Sequence, residues 1–190
     1  MASSTRSPAA DRARLIEIVK ARSFKSGVEI KLASGRTSSF YFNMKPTMLD
    51  AEGGYLVSQL ILDLIEKDNA PWIGGLEMGA VPIASAIAAI SQTRKPVSAF
   101  FVRKQAKEHG TRSLVEGLAP GESLSGTRVV IVEDVTTTGG SALKAAEAVR
   151  AEGGEVVRVV TLVDRQEGAE TAFKEAGLTF TPLLTLDDFR

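Results

Sequence analysis

The order of apolar and polar positions along the chain predicts alternating strands and helices. Apolar residues at helical spacing indicate one helix capped by Asp11, a second that begins at Asp50, and a buried, alanine-rich helix over 81–90. Short apolar runs indicate strands at 72–73, 97–102, 129–132 and 155–163, with a further helix over 141–151. Apolar strands that alternate with helices are typical of a parallel sheet covered on both faces. The expected fold is therefore α/β, with a central, mainly parallel sheet and helices on both sides.

The N-terminal part shows a different pattern from the rest of the chain. Residues 28–42 are predicted to form two short strands around a turn at 33–36. The strand that begins at 72–73 is expected to stop at the glycines around Gly75 and Gly79. The first residues are polar and predict a short flexible leader over 1–10, followed by a single domain over 11–190. The stretch 103–126 is polar and lacks periodicity, which predicts a long loop of functional importance.

Composition narrows the class of protein. The chain of 190 residues is 44% hydrophobic, which is enough for a packed core. Lysine plus arginine equals aspartate plus glutamate, at 23 each, so we expect no general affinity for nucleic acid or for a membrane surface. There is no cysteine, which excludes disulfides and thiolate metal sites. Because the chain shows neither a signal segment nor a membrane-length apolar run, we expect a cytoplasmic protein.

The most specific pattern lies between Arg128 and Arg150. An apolar strand ends in two acids, Glu133 and Asp134, and a loop of three threonines and two glycines leads into a helix. Such a loop offers hydroxyls, backbone N–H groups and a helix N-terminus to a phosphate, while the two carboxylates suit ribose hydroxyls. A surface turn with a helix cap is the alternative. The missing lysine after the glycines excludes a nucleoside-triphosphate loop, so we predict a site for a phosphorylated sugar.

Two further segments contain charged residues that could bind anionic groups of a substrate. Four potentially cationic residues, Arg103, Lys104, Lys107 and His109, follow the strand 97–102 and suit a pyrophosphate group, although a solvated charged turn is the alternative. Arg165 follows the strand 155–163, and its guanidinium can bind a planar carboxylate with two hydrogen bonds. A salt-bridged surface arginine is the alternative there.

Together these segments resemble the orotate phosphoribosyltransferases, a type I phosphoribosyltransferase family. Residues 128–141 are similar to the family's motif for 5-phosphoribosyl 1-pyrophosphate (PRPP), and Arg-Lys-x-x-Lys-x-His-Gly at 103–110 is similar to its catalytic loop. Residues 31–43 resemble its hood over the base, and 164–168 match its Asp-Arg-x-x-Gly. The resemblance implies the type I phosphoribosyltransferase fold with a small N-terminal hood over about 11–45.

The resemblance also implies a reaction and roles for residues. The 5-phosphoribosyl group would pass from PRPP to orotate, giving orotidine 5′-monophosphate and pyrophosphate in de novo pyrimidine biosynthesis. Catalysis is expected of Lys107, His109 and Asp134, and orotate binding of Thr137 and Arg165, with Tyr41 or Phe42 near the ring. The residues expected to bind PRPP are Arg103, Lys104, Lys107, His109, Glu133, Asp134, Val135, Thr136, Thr137, Thr138, Gly139, Gly140 and Ser141.

Magnesium and a second subunit complete the implied site. Mg²⁺ is expected to be carried mainly by PRPP, without a direct protein ligand, and the loop 103–117 is expected to reach the neighbouring site of a homodimer. The chain departs from some members by Ala33 before Ser-Gly. It also has Met78 and Gly79 in place of Tyr-Lys in the stretch 75–82, which the resemblance implies binds pyrophosphate, so backbone N–H groups are expected to replace that side-chain contact. A phosphoribosyltransferase for another base, a PRPP-sensing regulator and an unrelated phosphosugar enzyme are the alternatives.

Overall fold

The computed structural model describes residues 6–31, 37–105 and 113–190, which form a small hairpin and a larger α/β unit. The α-helices in these ranges are α1 (Pro8–Arg22), α2 (Lys45–Met48), α3 (Ala51–Ile65), α4 (Ala80–Ser91), α5 (Gly140–Ala151) and α6 (Ala169–Glu175). The strands are β1 (Phe24–Lys31), β2 (Thr37–Phe42), β3 (Trp72–Leu76), β4 (Ser98–Val102), β5 (Val115–Glu116), β6 (Arg128–Thr136), β7 (Glu155–Asp164) and β8 (Phe180–Thr185). Two short 3₁₀ helices span Glu66–Asp68 and Leu186–Phe189.

The central sheet has the strand order β5-β4-β3-β6-β7-β8, and β1 pairs with β2 in a separate antiparallel hairpin. Every pairing in the large sheet is parallel except that of β5 with β4. Successive residues of a strand point to opposite sides of the sheet, and helices cover both of these sides. Val130 and Val132 of β6 belong to the core under α1, α3 and α4, whereas Val129 and Ile131 belong to the core under α5 and α6. The predicted fold class is confirmed.

The start of the first helix differs from the prediction. Helix α1 begins at Pro8, and its N-cap is Ser7, whose hydroxyl accepts a hydrogen bond from the Ala10 N–H at 3.4 Å. Proline suits the first turn because its ring sets a helical φ and it has no N–H to satisfy. The predicted cap at Asp11 is therefore wrong, and residues 8–10 belong to the helix rather than to the predicted leader. The predicted start at Asp50 is confirmed, since its carboxylate accepts from the Gly53 N–H at 3.0 Å.

The strand β3 begins at Trp72, as predicted, and ends at Leu76, between the glycines at positions 75 and 79 where it was expected to stop. It continues through Gly74 and Gly75 to Leu76, between β4 and β6 at the middle of the sheet. A Cβ on Gly75 would lie 2.2 Å from the Val132 carbonyl oxygen, so the glycine permits the close approach of β6. The predicted loop over 103–126 contains the short strand β5. Within the described ranges, none of the helices combines the length and apolar character that crossing a membrane requires.

Candidate active site

The predicted functional segments meet at one edge of the sheet. The parallel strands β3, β4, β6 and β7 all end there, and each is followed by a segment that the sequence singled out. These segments contain Gly79, Arg103, Thr137 and Arg165. A backbone hydrogen bond of 2.9 Å from the Arg165 N–H to the Thr136 carbonyl holds the last two segments together. The carboxyl edge of a parallel sheet is the usual place for a ligand site.

The loop after β6 has the form expected of a phosphate loop. Gly139 has a φ of 85°, a left-handed conformation that favours glycine, and α5 begins at the next residue. The side chains of Thr138 and Ser141 are exposed and that of Thr137 is half-buried. Thr136 is different: its buried hydroxyl donates to the Thr161 hydroxyl at 2.9 Å, so that oxygen is engaged inside the core. Phosphate binding by this loop stays a prediction.

The two acids at the end of β6 lie in unequal surroundings. Glu133 is 7% exposed, and its Oε2 atom has no hydrogen-bond partner among the described residues. Burial is the main cause that raises the pKa of Glu133 to about 9, and the neighbouring Asp134 carboxylate is the second cause. Asp134 is half-buried, and its Oδ1 atom accepts from the Val135 N–H at 2.8 Å. At neutral pH, the protonated carboxyl of Glu133 can thus donate a hydrogen bond to a ligand oxygen, while the partly exposed carboxyl of Asp134 lies nearer the solvent.

The loop between β3 and α4 packs directly on Asp134. A Cβ on Gly79 would lie 2.5 Å from Asp134 Oδ1 and 2.7 Å from its Cγ, which no real Cβ atom tolerates. The backbone of Gly79 is helical, with φ of −59° and ψ of −41°, so the glycine is needed for space and not for conformation. A side chain here, such as the lysine of some family members, would require Asp134 to move.

We expect Gly79→Ala to weaken PRPP binding by roughly tenfold, because the added methyl displaces one carboxylate of the predicted ribose site. Calorimetric titration with PRPP measures the effect, and thermal unfolding should shift little because Asp134 can rotate away. Asp134→Asn provides a double-variant cycle: if Gly79→Ala acts through Asp134, the two effects are less than additive. Fully additive losses, or an unchanged titration of Gly79→Ala, would contradict this account.

The basic segment is described only at its beginning. The backbone N–H of Arg103 donates to the Leu114 carbonyl at 2.9 Å, and β4 pairs with β5 across the same junction. The Arg103 guanidinium lies 3.9 Å from the Glu116 carboxylate, and the side chain of Lys104 is exposed. Lys107 and His109 lie outside the described residues. The structure therefore brings Arg103 and Lys104 to the edge that carries Asp134, and the roles of Lys107 and His109 stay predictions.

Arg165 is a buried cation at this edge. The residue is 6% exposed, its Nη2 atom lies 2.6 Å from Glu167 Oε1, and its guanidinium carbon lies 4.8 Å from the centre of the Phe40 ring. A salt bridge does exist, as the alternative interpretation supposed, but the arginine is buried and not on the surface.

The two aromatic residues expected near the base, Tyr41 and Phe42, lie in different surroundings. Phe42 packs in the core against Phe24 and Phe189, whereas Tyr41 is 38% exposed. A position of either ring near the orotate base stays a prediction.

Three residues at this edge of the sheet were not predicted from sequence patterns to belong to the site. Glu77 accepts from the backbone N–H of Lys104, Glu167 pairs with Arg165, and Phe40 lies against the same guanidinium. Glu167 follows Arg165 by two residues, and this spacing was an available signal for an ion pair. The other two contacts join segments more than 20 positions apart, so no local pattern could have revealed them.

The chain is similar to proteins of known family. A profile of the phosphoribosyl transferase domain matches residues 48–181. The chain is 60% identical over 184 residues to a protein of Rhodopseudomonas palustris (strain BisB18) named orotate phosphoribosyltransferase, covering 96% of this chain and 98% of that one. Among solved structures, the orotate phosphoribosyltransferase of Mycobacterium tuberculosis H37Rv in complex with Fe(III) dicitrate superposes with a TM-score of 0.80 at 39% identity.

That match covers 94% of this chain and 98% of the mycobacterial one. The mycobacterial enzyme has also been crystallised in complex with PRPP, and this structure superposes with a TM-score of 0.77 at 38% identity over the same shares of the two chains. The matched domain includes both acids, the threonine–glycine loop and Arg165.

Proposed function

The chain belongs to the orotate phosphoribosyltransferase family, and from this we infer how its cleft transfers the 5-phosphoribosyl group of PRPP to orotate. The products are orotidine 5′-monophosphate and pyrophosphate, and the activity is that of a pentosyltransferase in pyrimidine biosynthesis. One observation carries the assignment of the site: the acids and loop of the PRPP motif are joined, by the bond from the Arg165 N–H to the Thr136 carbonyl, to a buried arginine suited to a carboxylate.

The sugar is held by the segment after β6. We propose that the backbone N–H groups and free hydroxyls from Val135 to Ser141 bind the 5-phosphate at the N-terminus of α5. Glu133 and Asp134 bind the ribose hydroxyls, with neutral Glu133 donating and Asp134 accepting hydrogen bonds. The ribose carbon becomes cation-like as pyrophosphate departs, so the protein acts chiefly by fixing the sugar and by stabilising charge.

We propose that the segment after β4 binds the leaving group, pyrophosphate. We assign Arg103 and Lys104, together with Lys107 and His109, to neutralise the charge that develops on pyrophosphate. Backbone groups of the segment between β3 and α4 replace the contact to pyrophosphate that Tyr-Lys makes in some members, because Gly79 lies against Asp134 and has no side chain to offer. Charge stabilisation of this kind acts most strongly in the transition state, so we assign Lys107 a catalytic role.

The acceptor is held on the other side of the ribose. Thr137 and Arg165 are assigned to orotate, and the β1–β2 hairpin, which carries the exposed Tyr41, is assigned as the hood over the base. The orotate carboxylate would join or replace Glu167 at the Arg165 guanidinium, which is already oriented by that carboxylate and by Phe40. An acceptor without a carboxylate would lack this contact, so we expect a preference for orotate over uracil.

We propose that Mg²⁺ would be carried into the site mainly by PRPP. Among the described residues there is no group of three or more side chains arranged to ligate a metal, and the acids available at the ribose site are Glu133 and Asp134. This donor set fits Mg²⁺, which commonly binds substrate phosphates and waters with one or two protein carboxylates or none. When bound, the ion neutralises charge on the pyrophosphate oxygens. We assign Glu133 and Asp134 to the ribose hydroxyls and no direct protein ligand to the metal.

The assembly and location are also proposals. We propose a homodimer in which the loop 103–117 of one subunit completes the neighbouring site, an arrangement implied by the family resemblance. The hood over residues 11–45 and the phosphoribosyltransferase body would act as one domain. A cytoplasmic location is consistent with the biosynthetic reaction and with the expected lack of membrane or nucleic-acid partners.

The acceptor assignment is tested by orotate absorbance after addition of PRPP and Mg²⁺, with uracil, adenine and guanine as competing acceptors. We expect consumption of orotate alone. Arg165→Lys should raise the KM for orotate by roughly tenfold or more, because lysine cannot form the paired hydrogen bonds of a guanidinium, and should leave PRPP affinity unchanged. Arg150→Lys, an exposed change at the far end of α5, is the matched control. No orotate consumption by the wild type would refute the function, and an unchanged KM would refute the role of Arg165.

A further inference from the structure

The strand β3 ends in an unusual way beside the basic segment. The Glu77 N–H donates to the Val102 carbonyl at 2.8 Å, which extends the parallel β3–β4 ladder by one bond beyond the pair Leu76 and Val102. In a continued parallel ladder, the next bond would run from the Lys104 N–H to the main-chain carbonyl of Glu77. Instead, the Lys104 N–H donates to the side chain of Glu77, at 2.8 Å from Oε1. The carboxylate thus takes the place of the strand's next carbonyl.

This hydrogen bond fixes the backbone at Lys104, where β4 has ended and the basic segment begins. On the other side, the Arg103 N–H donates to the Leu114 carbonyl at 2.9 Å. Two consecutive amides are therefore bonded to opposite neighbours, one to β3 through Glu77 and one to the chain entering β5. Glu77 is half-buried, and the bond to a charged acceptor is of the stronger kind. Both segments that Glu77 connects, 75–82 and 103–109, are assigned to the pyrophosphate group.

We propose that Glu77 is a positioning residue for catalysis, which sets where β4 ends and the pyrophosphate-binding segment begins by accepting the Lys104 N–H. Its effect reaches the reaction through the backbone of Lys104, and it does not itself contact substrate. The function requires an acceptor at this position and not a negative charge, since a carboxylate beside pyrophosphate is electrostatically unfavourable. The proposal rests on the proposed role of Arg103 to His109 at the leaving group.

Glu77→Met and Glu77→Ala both remove the acceptor, and Glu77→Gln keeps it. We expect kcat to fall roughly tenfold in the first two variants, because catalytic groups that are misplaced by a fraction of an ångström lose most of their effect. The KM for orotate and the dissociation constant of PRPP should change by less than about threefold, and Glu77→Gln should restore kcat to within about twofold of the wild type. Forward turnover, pyrophosphorolysis and thermal unfolding are measured for each variant.

Glu122→Ala is the matched control. This exposed carboxylate also accepts a backbone N–H, that of Ala119 at 2.7 Å, and it lies in a turn outside the site. Its loss should leave kcat unchanged. Using methionine beside alanine keeps the test valid if one of the two variants fails to fold.

The outcomes separate the proposal from the function on which it rests. Wild-type kcat in folded Glu77→Met and Glu77→Ala would overturn the proposal, as would equal impairment in Glu77→Gln. Lys107→Ala is assayed in parallel. Impaired turnover in Lys107→Ala with normal turnover in the Glu77 variants overturns the role of Glu77 alone, whereas normal turnover in Lys107→Ala overturns the role of the basic segment.

Discussion

Lys107→Ala is expected to lower kcat by roughly 100-fold to 1000-fold, the range typical of removing one preorganised charge from a transition state. The dissociation constant of PRPP should change by less than about tenfold, because the charge on pyrophosphate grows as the bond to the ribose carbon breaks. The prediction follows from the sequence pattern at 103–110 and from the position of Arg103 and Lys104 at the carboxyl edge of the sheet. Steady-state kinetics with orotate and calorimetric titration with PRPP measure the two quantities separately.

Lys174→Ala, at an exposed position of α6, is the control for loss of a surface charge. An equal loss of binding with unchanged turnover would refute the catalytic role of Lys107. Mixing subunits tests the proposed dimer with the same variant. If the loop serves the neighbouring site, a heterodimer of Lys107→Ala and Asp134→Asn subunits contains one site with both defects and one intact site, so activity returns on mixing. If the loop serves its own subunit, mixing restores nothing.

Glu133→Gln is expected to stabilise the protein at neutral pH by about 3 kcal/mol. The folded protein keeps a proton on Glu133 up to a pKa of about 9, whereas the ordinary value, 4.5, applies to the unfolded chain. Unfolding therefore releases a proton between these values, and the free energy of unfolding falls as the pH rises through this window. Glutamine has nearly the same volume and cannot ionise, so the variant avoids that loss.

The stabilisation should vanish near pH 4.5, grow by about 1.4 kcal/mol for each pH unit above it, and level off near pH 9. Urea unfolding of the wild type and variant at several pH values measures this difference directly. Glu147→Gln, at an exposed position in the middle of α5, is the matched control and should show no such slope. A constant difference across the pH range would show that Glu133 is ionised in the folded protein. Activity should fall despite the added stability, because glutamine offers the ribose a different pattern of donors and acceptors.

Much of the fold could be predicted because its signals are local. Apolar runs such as 129–132 are buried on both faces, and a strand of this kind needs helices on each side of the sheet. The sequence therefore determined the α/β class, the cap at Asp50, and the strand–acid–acid–loop–helix order of the PRPP motif. The short strand β5 was missed because two residues carry no periodicity, and its pairing with β4 depends on a partner more than ten positions away.

The arrangement of the site was decided by the tertiary structure. Whether Arg165 is a surface residue or a buried cation depends on Phe40, which lies on a separate hairpin, and the burial that raises the pKa of Glu133 depends on the neighbouring elements packed around β6. The same holds for Gly79 against Asp134 and for Glu77 at the Lys104 N–H. The sequence by itself determined which chemical groups this protein carries and on which strand ends. Only the folded chain decided their distances, burial and protonation, because these depend on contacts between segments far apart in sequence.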